Sequence, residues 1–176
     1  MNTKTVYTLC ILFFTLLLAA YGCSKSDDQR KFEQQALSEP AGITETNASG
    51  EVTGTTDGDD WRVGPMYRGL IQIGTGDSQP PFPNPLPYNQ SLTVQVNFNV
   101  PDPVNALDIR RFRLPSDAQF EQLRYLSQDE LSSYNNISLS GSIIAEGPGS
   151  EGSGLYRILI YDGKQNLISY GDIEIE

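Results

Sequence analysis

The chain has 176 residues, with 22 Asp and Glu against 12 Lys and Arg, no histidine and two cysteines. A formal charge of −10 argues against a nucleic-acid partner, because duplex binding needs a cationic surface to displace counterions. Without histidine the chain lacks the commonest general base, the usual catalytic metal ligand and any Ser-His or Cys-His dyad, and two cysteines cannot build a Cys-rich zinc site.

Residues 1–22 read as a cleaved signal peptide. Lys4 supplies the positive start, and Val6 to Ala20 form an apolar stretch interrupted only by Thr8 and Thr15. That length suits a signal-peptide core and is short for a membrane-spanning helix. Ala20-Tyr21-Gly22-Cys23 follows. It resembles a bacterial lipobox, in which a small residue precedes a cysteine that is diacylated on sulfur and becomes the mature N-terminus. The resemblance implies a diacylglycerol and an N-acyl chain of the palmitate kind on Cys23, and a lipid-anchored protein of the bacterial outer membrane, on its periplasmic or cell-surface face. Ordinary secretory cleavage after Ala20-x-Gly22 is the alternative. It leaves Cys23 as an unpaired thiol, since Cys10 departs with the leader, and a lone exposed thiol in an oxidising compartment is a liability.

Ser24-Lys25-Ser26-Asp27-Asp28 comes next. The acidic pair looks like the tags that send lipoproteins to the outer membrane or cell surface, and reads equally as a solvated charge run. Residues 23–60 hold only eight apolar side chains, with nine acids against three bases. That composition predicts a flexible, disordered acidic tether. Within it, Phe32 and Ala36 share one face of a possible helix over Asp28 to Ser38, which would dock on the domain.

The tether's end carries Asp57, Asp59 and Asp60, three carboxylates within four positions that offer oxygen ligands to Ca²⁺. They lack the twelve-residue loop pattern and its bidentate Glu, so a solvated linker end is the expectation, and no cofactor beyond the lipid is implied. Trp61 is the only tryptophan; with Tyr67 it offers a stacking platform for a sugar ring, against core packing as the default.

Residues 61–176 have the periodicity of strands. Leu92 to Val100 alternates apolar and polar without a break, and Pro101 and Pro103 end it. Weaker strands are Tyr67–Ile73, Ala106–Arg113 and Ile137–Ala145. Phe120–Leu126 is ambiguous: Phe120, Leu123 and Leu131 also fit helical spacing, with Asp117 as a possible cap. Arg110, Arg111 and Arg113 alternate faces if they lie on a strand, and pairing with carboxylates is their expected role. Gly147 to Gly154 lacks the Lys-Ser/Thr of a phosphate loop and precedes a strand, so it reads as a flexible loop. Leu155–Tyr161 and Asn166–Tyr170 flank Asp162-Gly163, a hairpin signal, and Ile173 and Ile175 extend the last strand.

About seven short strands without alternating helices predict an all-β fold, an antiparallel immunoglobulin- or fibronectin-III-like β-sandwich. In such sandwiches a corner tyrosine opens a late strand and bonds a nearby backbone group, and Gly154-Leu155-Tyr156 stands at that place.

Phe32-Glu33-x-x-Ala36-Leu37, Gly42-Ile43-Thr44-x-Thr46, Asp57-x-Asp59-Asp60-Trp61-Arg62 and Pro83-Asn84-Pro85 together resemble small bacterial outer-membrane lipoproteins. The resemblance implies a lipid anchor, an acidic linker and one immunoglobulin-like domain, with no activity attached. Pro83-Asn84-Pro85 before a strand and a late Gly-x-Tyr strand also resemble a type IX secretion sorting domain. That family finishes on a basic-flanked strand, whereas this chain ends Gly171-Asp172-Ile173-Glu174-Ile175-Glu176. The function expected is that of a membrane-anchored, non-catalytic interaction module, with an envelope protein or a glycan as partner.

Overall fold

The computed structural model describes residues 25–74, 79–114, 120–131, 136–147 and 151–176. The expected leader, the lipobox residues and Cys23 lie outside the described residues, as does Asp117. Seven strands are present among the described residues: β1 (Ile71–Ile73), β2 (Ser91–Phe98), β3 (Ala106–Leu114), β4 (Glu121–Ser127), β5 (Asn136–Ser140), β6 (Gly154–Asp162) and β7 (Leu167–Ile175). They form two antiparallel sheets, β1-β2-β5 and β4-β3-β6-β7. The fold is an all-β sandwich. Short helices accompany it: α1 (Asp27–Gln35), α2 (Gln128–Leu131) and α3 (Gly141–Ile144).

Alternation sets the core. In β2 the side chains of Leu92, Val94 and Val96 are buried, while Thr93 and Gln95 between them stay half-covered. They meet Leu107 and Ile109 of β3 and Tyr156, Ile158 and Ile160 of β6 in one apolar cluster. Burying one such aliphatic side chain stabilises the fold by about 1.5–3 kcal/mol. Tyr156 is the corner tyrosine: its hydroxyl donates to the Gly152 carbonyl (2.8 Å) and accepts from the Glu146 amide (3.1 Å).

Several elements depart from the sequence expectation. Only Ile71–Ile73 of the Tyr67–Ile73 stretch is strand, because Pro65 opens a 3₁₀ turn over Pro65–Tyr67. Ile137–Ala145 stops pairing at Ser140 and turns into α3, where Gly141 lies too close to the Pro87 and Tyr88 carbonyls to carry a Cβ. The ambiguous Phe120–Leu126 segment is a strand, paired with β3.

The largest correction concerns residues 25–60. Composition makes them a disordered tether, yet they pack on the sandwich; the docked helix expected over Asp28 to Ser38 is present as Asp27–Gln35. Ser26 caps α1 by accepting from the Gln29 amide (3.2 Å), and Asp27 and Asp28 fill its first turn, where the helix dipole favours negative charge. Phe32 and Ala36 sit with Leu159, Leu167 and Tyr170 in a second apolar cluster on the outer face of the four-stranded sheet. Gln29, fully buried, donates to the Leu167 carbonyl (2.9 Å) and accepts from the Met66 amide (3.2 Å). Few apolar residues suffice here because β6 and β7 already carry an apolar outer face that needs cover. Farther along, Thr44 and Thr46 are buried, and Thr46 exchanges backbone bonds with Asn84 (2.7 and 3.1 Å).

The free edge of β7 is closed in the same way. Trp61 and Gly64 donate backbone bonds to Tyr170 and Ile168 (both 2.7 Å), and Leu86 and Tyr88 donate to Glu174 (2.7 Å) and Glu176 (2.9 Å). Covering an edge removes a template for intermolecular pairing.

Candidate functional site

The crossing of the 57–64 segment over β7 concentrates the chain's unusual chemistry. Trp61 adopts a left-handed backbone (φ 60°), which turns its indole down onto Gly171 in the middle of β7. A Cβ on Gly171 would lie 2.2 Å from Trp61 Cε2, so only glycine leaves room for the ring. The indole N–H is buried with no hydrogen-bond partner among the described residues.

This crossing sets Asp57 and Asp60 beside Asp172, with one carboxylate oxygen from each within 4.8 Å of the others. Asp60 Oδ2 accepts from the Thr44 amide (2.8 Å) and Oδ1 from the Asp172 amide (2.8 Å). Asp57 Oδ1 accepts from the Asp59 amide (2.9 Å). The Thr44 hydroxyl accepts from the Asp57 amide (3.1 Å) and donates to the Asp57 carbonyl (3.3 Å). Asp172 takes both arms of Arg157: Nε to Oδ1 (2.8 Å) and Nη2 to Oδ2 (2.7 Å). Burial, seconded by the Asp172 charge, pushes the Asp60 carboxyl up to about 7, against its two amide bonds. Burial also raises Asp172, and the Arg157 guanidinium offsets this only in part.

The cluster borders a cleft of about 500 Å³, lined among others by Thr44, Thr56, Gly58, Ile73 and Pro80. Both Asp172 oxygens already face a guanidinium and both Asp60 oxygens accept backbone amides, so the carboxylates are engaged by the protein's own donors. Chemically the arrangement is a clamp: it ties the 44–60 segment to β7 and holds a proton near neutral pH.

Several expected site residues sit elsewhere. Asp59 leaves the cluster and pairs with Arg62 (3.0 Å). Trp61 and Tyr67 are only 5% and 3% exposed, so they form no surface platform. Tyr67 instead donates to Asp162 Oδ2 (2.7 Å). That carboxylate also accepts from the Lys164 and Asn166 amides (2.8 and 2.7 Å) and organises the β6–β7 turn. Burial works to raise Asp162, but these bonds outweigh it and lower its proton affinity. Arg110, Arg111 and Arg113 pair with Asp108, Glu121 and Glu146 as the alternation predicts.

Three residues at the site escape the sequence reading: Asp172, Arg157 and Asn84. Asn84 is fully buried and donates to the Thr44 and Asp172 carbonyls (both 2.9 Å) while accepting from the Glu174 amide (3.0 Å). Its place between Pro83 and Pro85 was the available signal, since two prolines withhold the neighbouring amides and leave an asparagine to make the bonds.

Among the described residues no helix is long and apolar enough to cross a membrane. No known protein family matches the sequence. No curated protein matches it either. Among solved structures, the fold is distantly similar to a superoxide reductase (neelaredoxin) from Ignicoccus hospitalis, at 11% identity and a TM-score of 0.36, covering 61% of this chain and 80% of that one.

Proposed function

We propose that the chain is an outer-membrane lipoprotein, anchored by a diacylglycerol on Cys23, whose sandwich is a non-catalytic interaction module. The observation that carries this reading is the placement of Cys23. It is the only cysteine beyond the apolar stretch that ends at Ala20, and it directly follows Ala20-Tyr21-Gly22. Two or more acyl chains hold a protein stably on a bilayer, at about 0.8 kcal/mol per buried CH₂.

The non-catalytic part rests on chemistry. The chain has no histidine, and Asp60 and Asp172, acids of raised proton affinity, each bond through both oxygens to structural donors. An envelope protein is favoured over a glycan as partner, because Trp61 and Tyr67, the rings a sugar would stack on, are buried.

Metabolic labelling with a palmitate analogue tests the anchor. The wild-type chain takes the label and Cys23→Ser does not. Undiminished labelling of Cys23→Ser overturns the proposal.

A further inference from the structure

We infer that the end of the sandwich bearing the β6–β7 turn is held against a zwitterionic lipid headgroup surface, an inference that rests on the anchor at Cys23. Covalent reach sets the first constraint. Cys23 is two residues before Lys25, and two extended residues span about 7 Å. Lys25 is already part of the folded body. Its ammonium donates to both oxygens of Glu33 (2.7 and 2.9 Å) and reaches the carbonyl of Gln165 in the β6–β7 turn (3.5 Å).

The helix that follows is fixed as well. Ser26 caps it, and buried Gln29 ties its first turn to Leu167 at the start of β7. With residues 25–60 folded back on the sandwich, no long spacer separates lipid from domain. The anchor therefore leaves the molecule beside the turn. The opposite end, where β6 begins at Gly154, lies one nine-residue strand away, or about 26 Å.

The surface at the turn end suits headgroups of no net charge. A shallow cleft of about 250 Å³ opens there between the 102–105 loop and the turn, with Asp102, Asn105 and Lys164 on its walls. Val100, before that loop, is 37% exposed. Lys25 pairs with Glu33 and Arg30 with Asp27, and Lys31 and Lys164 are exposed along with Asp28 and Asp102, a mixed charge that a strongly anionic surface would not favour.

The test uses the full-length lipidated protein in phosphatidylethanolamine vesicles carrying a headgroup-linked nitroxide quencher. With Cys23 acylated, Lys164→Cys or Glu151→Cys supplies the one thiol for a fluorophore, and both positions are exposed. Quenching severalfold stronger at 164 than at 151 is the expected result. Equal quenching, or stronger quenching at 151, in protein that floats with the vesicles overturns the orientation and leaves the anchor standing. Failure of the wild-type chain to float, or flotation of Cys23→Ser as well, overturns the anchor reading and the orientation with it.

Discussion

Arg157 on β6 and Asp172 on β7 stand directly opposite each other in register, each with a side chain 2% exposed, joined by two hydrogen bonds of 2.7–2.8 Å. The remaining arm of the guanidinium does not stay on the sheet. Arg157 Nη1 donates to the carbonyls of Ala36 (2.8 Å) and Ser38 (2.6 Å), just past the end of α1. One cation thus neutralises an acid of the Asp60 cluster and fastens the N-terminal segment. Its charge suits the carbonyl end of a helix.

Replacing Arg157 by Met keeps most of the volume and removes both functions. Asp172 is then left as a buried charge without its partner, a change that costs about 3–5 kcal/mol. Urea unfolding of Arg157→Met should show that loss, and limited proteolysis should cut first after Ser38.

Gly171→Ala forces a methyl group into the space the Trp61 ring fills. Overpacking of this kind costs about 1–3 kcal/mol. Because Trp61 is the only tryptophan, its emission reports the site directly. A red shift as the indole leaves its pocket is the expected readout; an unchanged spectrum with unchanged stability contradicts the packing described.

The Asp60 carboxyl gives the stability a pH slope of definite sign. Folded Asp60 holds its proton to about pH 7, whereas an unfolded aspartic acid releases it near pH 4. Between those values the folded state binds more protons, so Asp60's contribution is complete below about pH 4 and is lost as pH rises through 7. Acids of lowered affinity, such as Glu33, Asp108 and Asp162, are ionised in both states above pH 5 and add no slope there. The urea midpoint should therefore fall from pH 5 to pH 8. Asp57→Asn keeps the side-chain oxygen that accepts from Asp59 and removes a like charge from the cluster. Its midpoint should exceed wild type at pH 8 by more than at pH 5.

Phe32→Ala tests whether α1 is a working part of the fold. Phe32 is 4% exposed, lies 5.2 Å from the Tyr170 ring between centroids, and carries the Arg62 guanidinium over its face at 5.6 Å. Truncating a buried phenylalanine costs about 3–5 kcal/mol. Hydrogen exchange should quicken across 27–40 and along the outer face of β7, while β2 and β5, which belong to the other sheet, keep their protection.

The strand periods were legible because one buried face leaves a two-residue signature in the residues themselves. Leu92 to Phe98 shows it, and the corner role of Tyr156 follows from its place at the start of a late strand. The Asp162-Gly163 turn signal was sound as well, although the left-handed backbone falls on Gln165 (φ 64°) and not on Gly163. The apolar run Leu155–Tyr161 held a further signal. A strand without polar alternation is buried on both faces and needs a cover for the second one.

What covers that face was settled only in three dimensions. Alternation reports which side chains want burial, but not which distant segment meets them. Residues 25–60 are polar enough to read as a tether by themselves, yet Phe32, Ala36, Thr44 and Thr46 each find a buried place on the sandwich. The acidic site followed the same rule. Asp60 meets Asp172 across 112 positions of sequence, a proximity that local spacing cannot express. Composition and periodicity determined a β-sandwich and the spacing of Phe32 and Ala36 allowed a docked helix; the tertiary structure alone decided that the rest of the N-terminal segment belongs to the fold, and which carboxylates lie together.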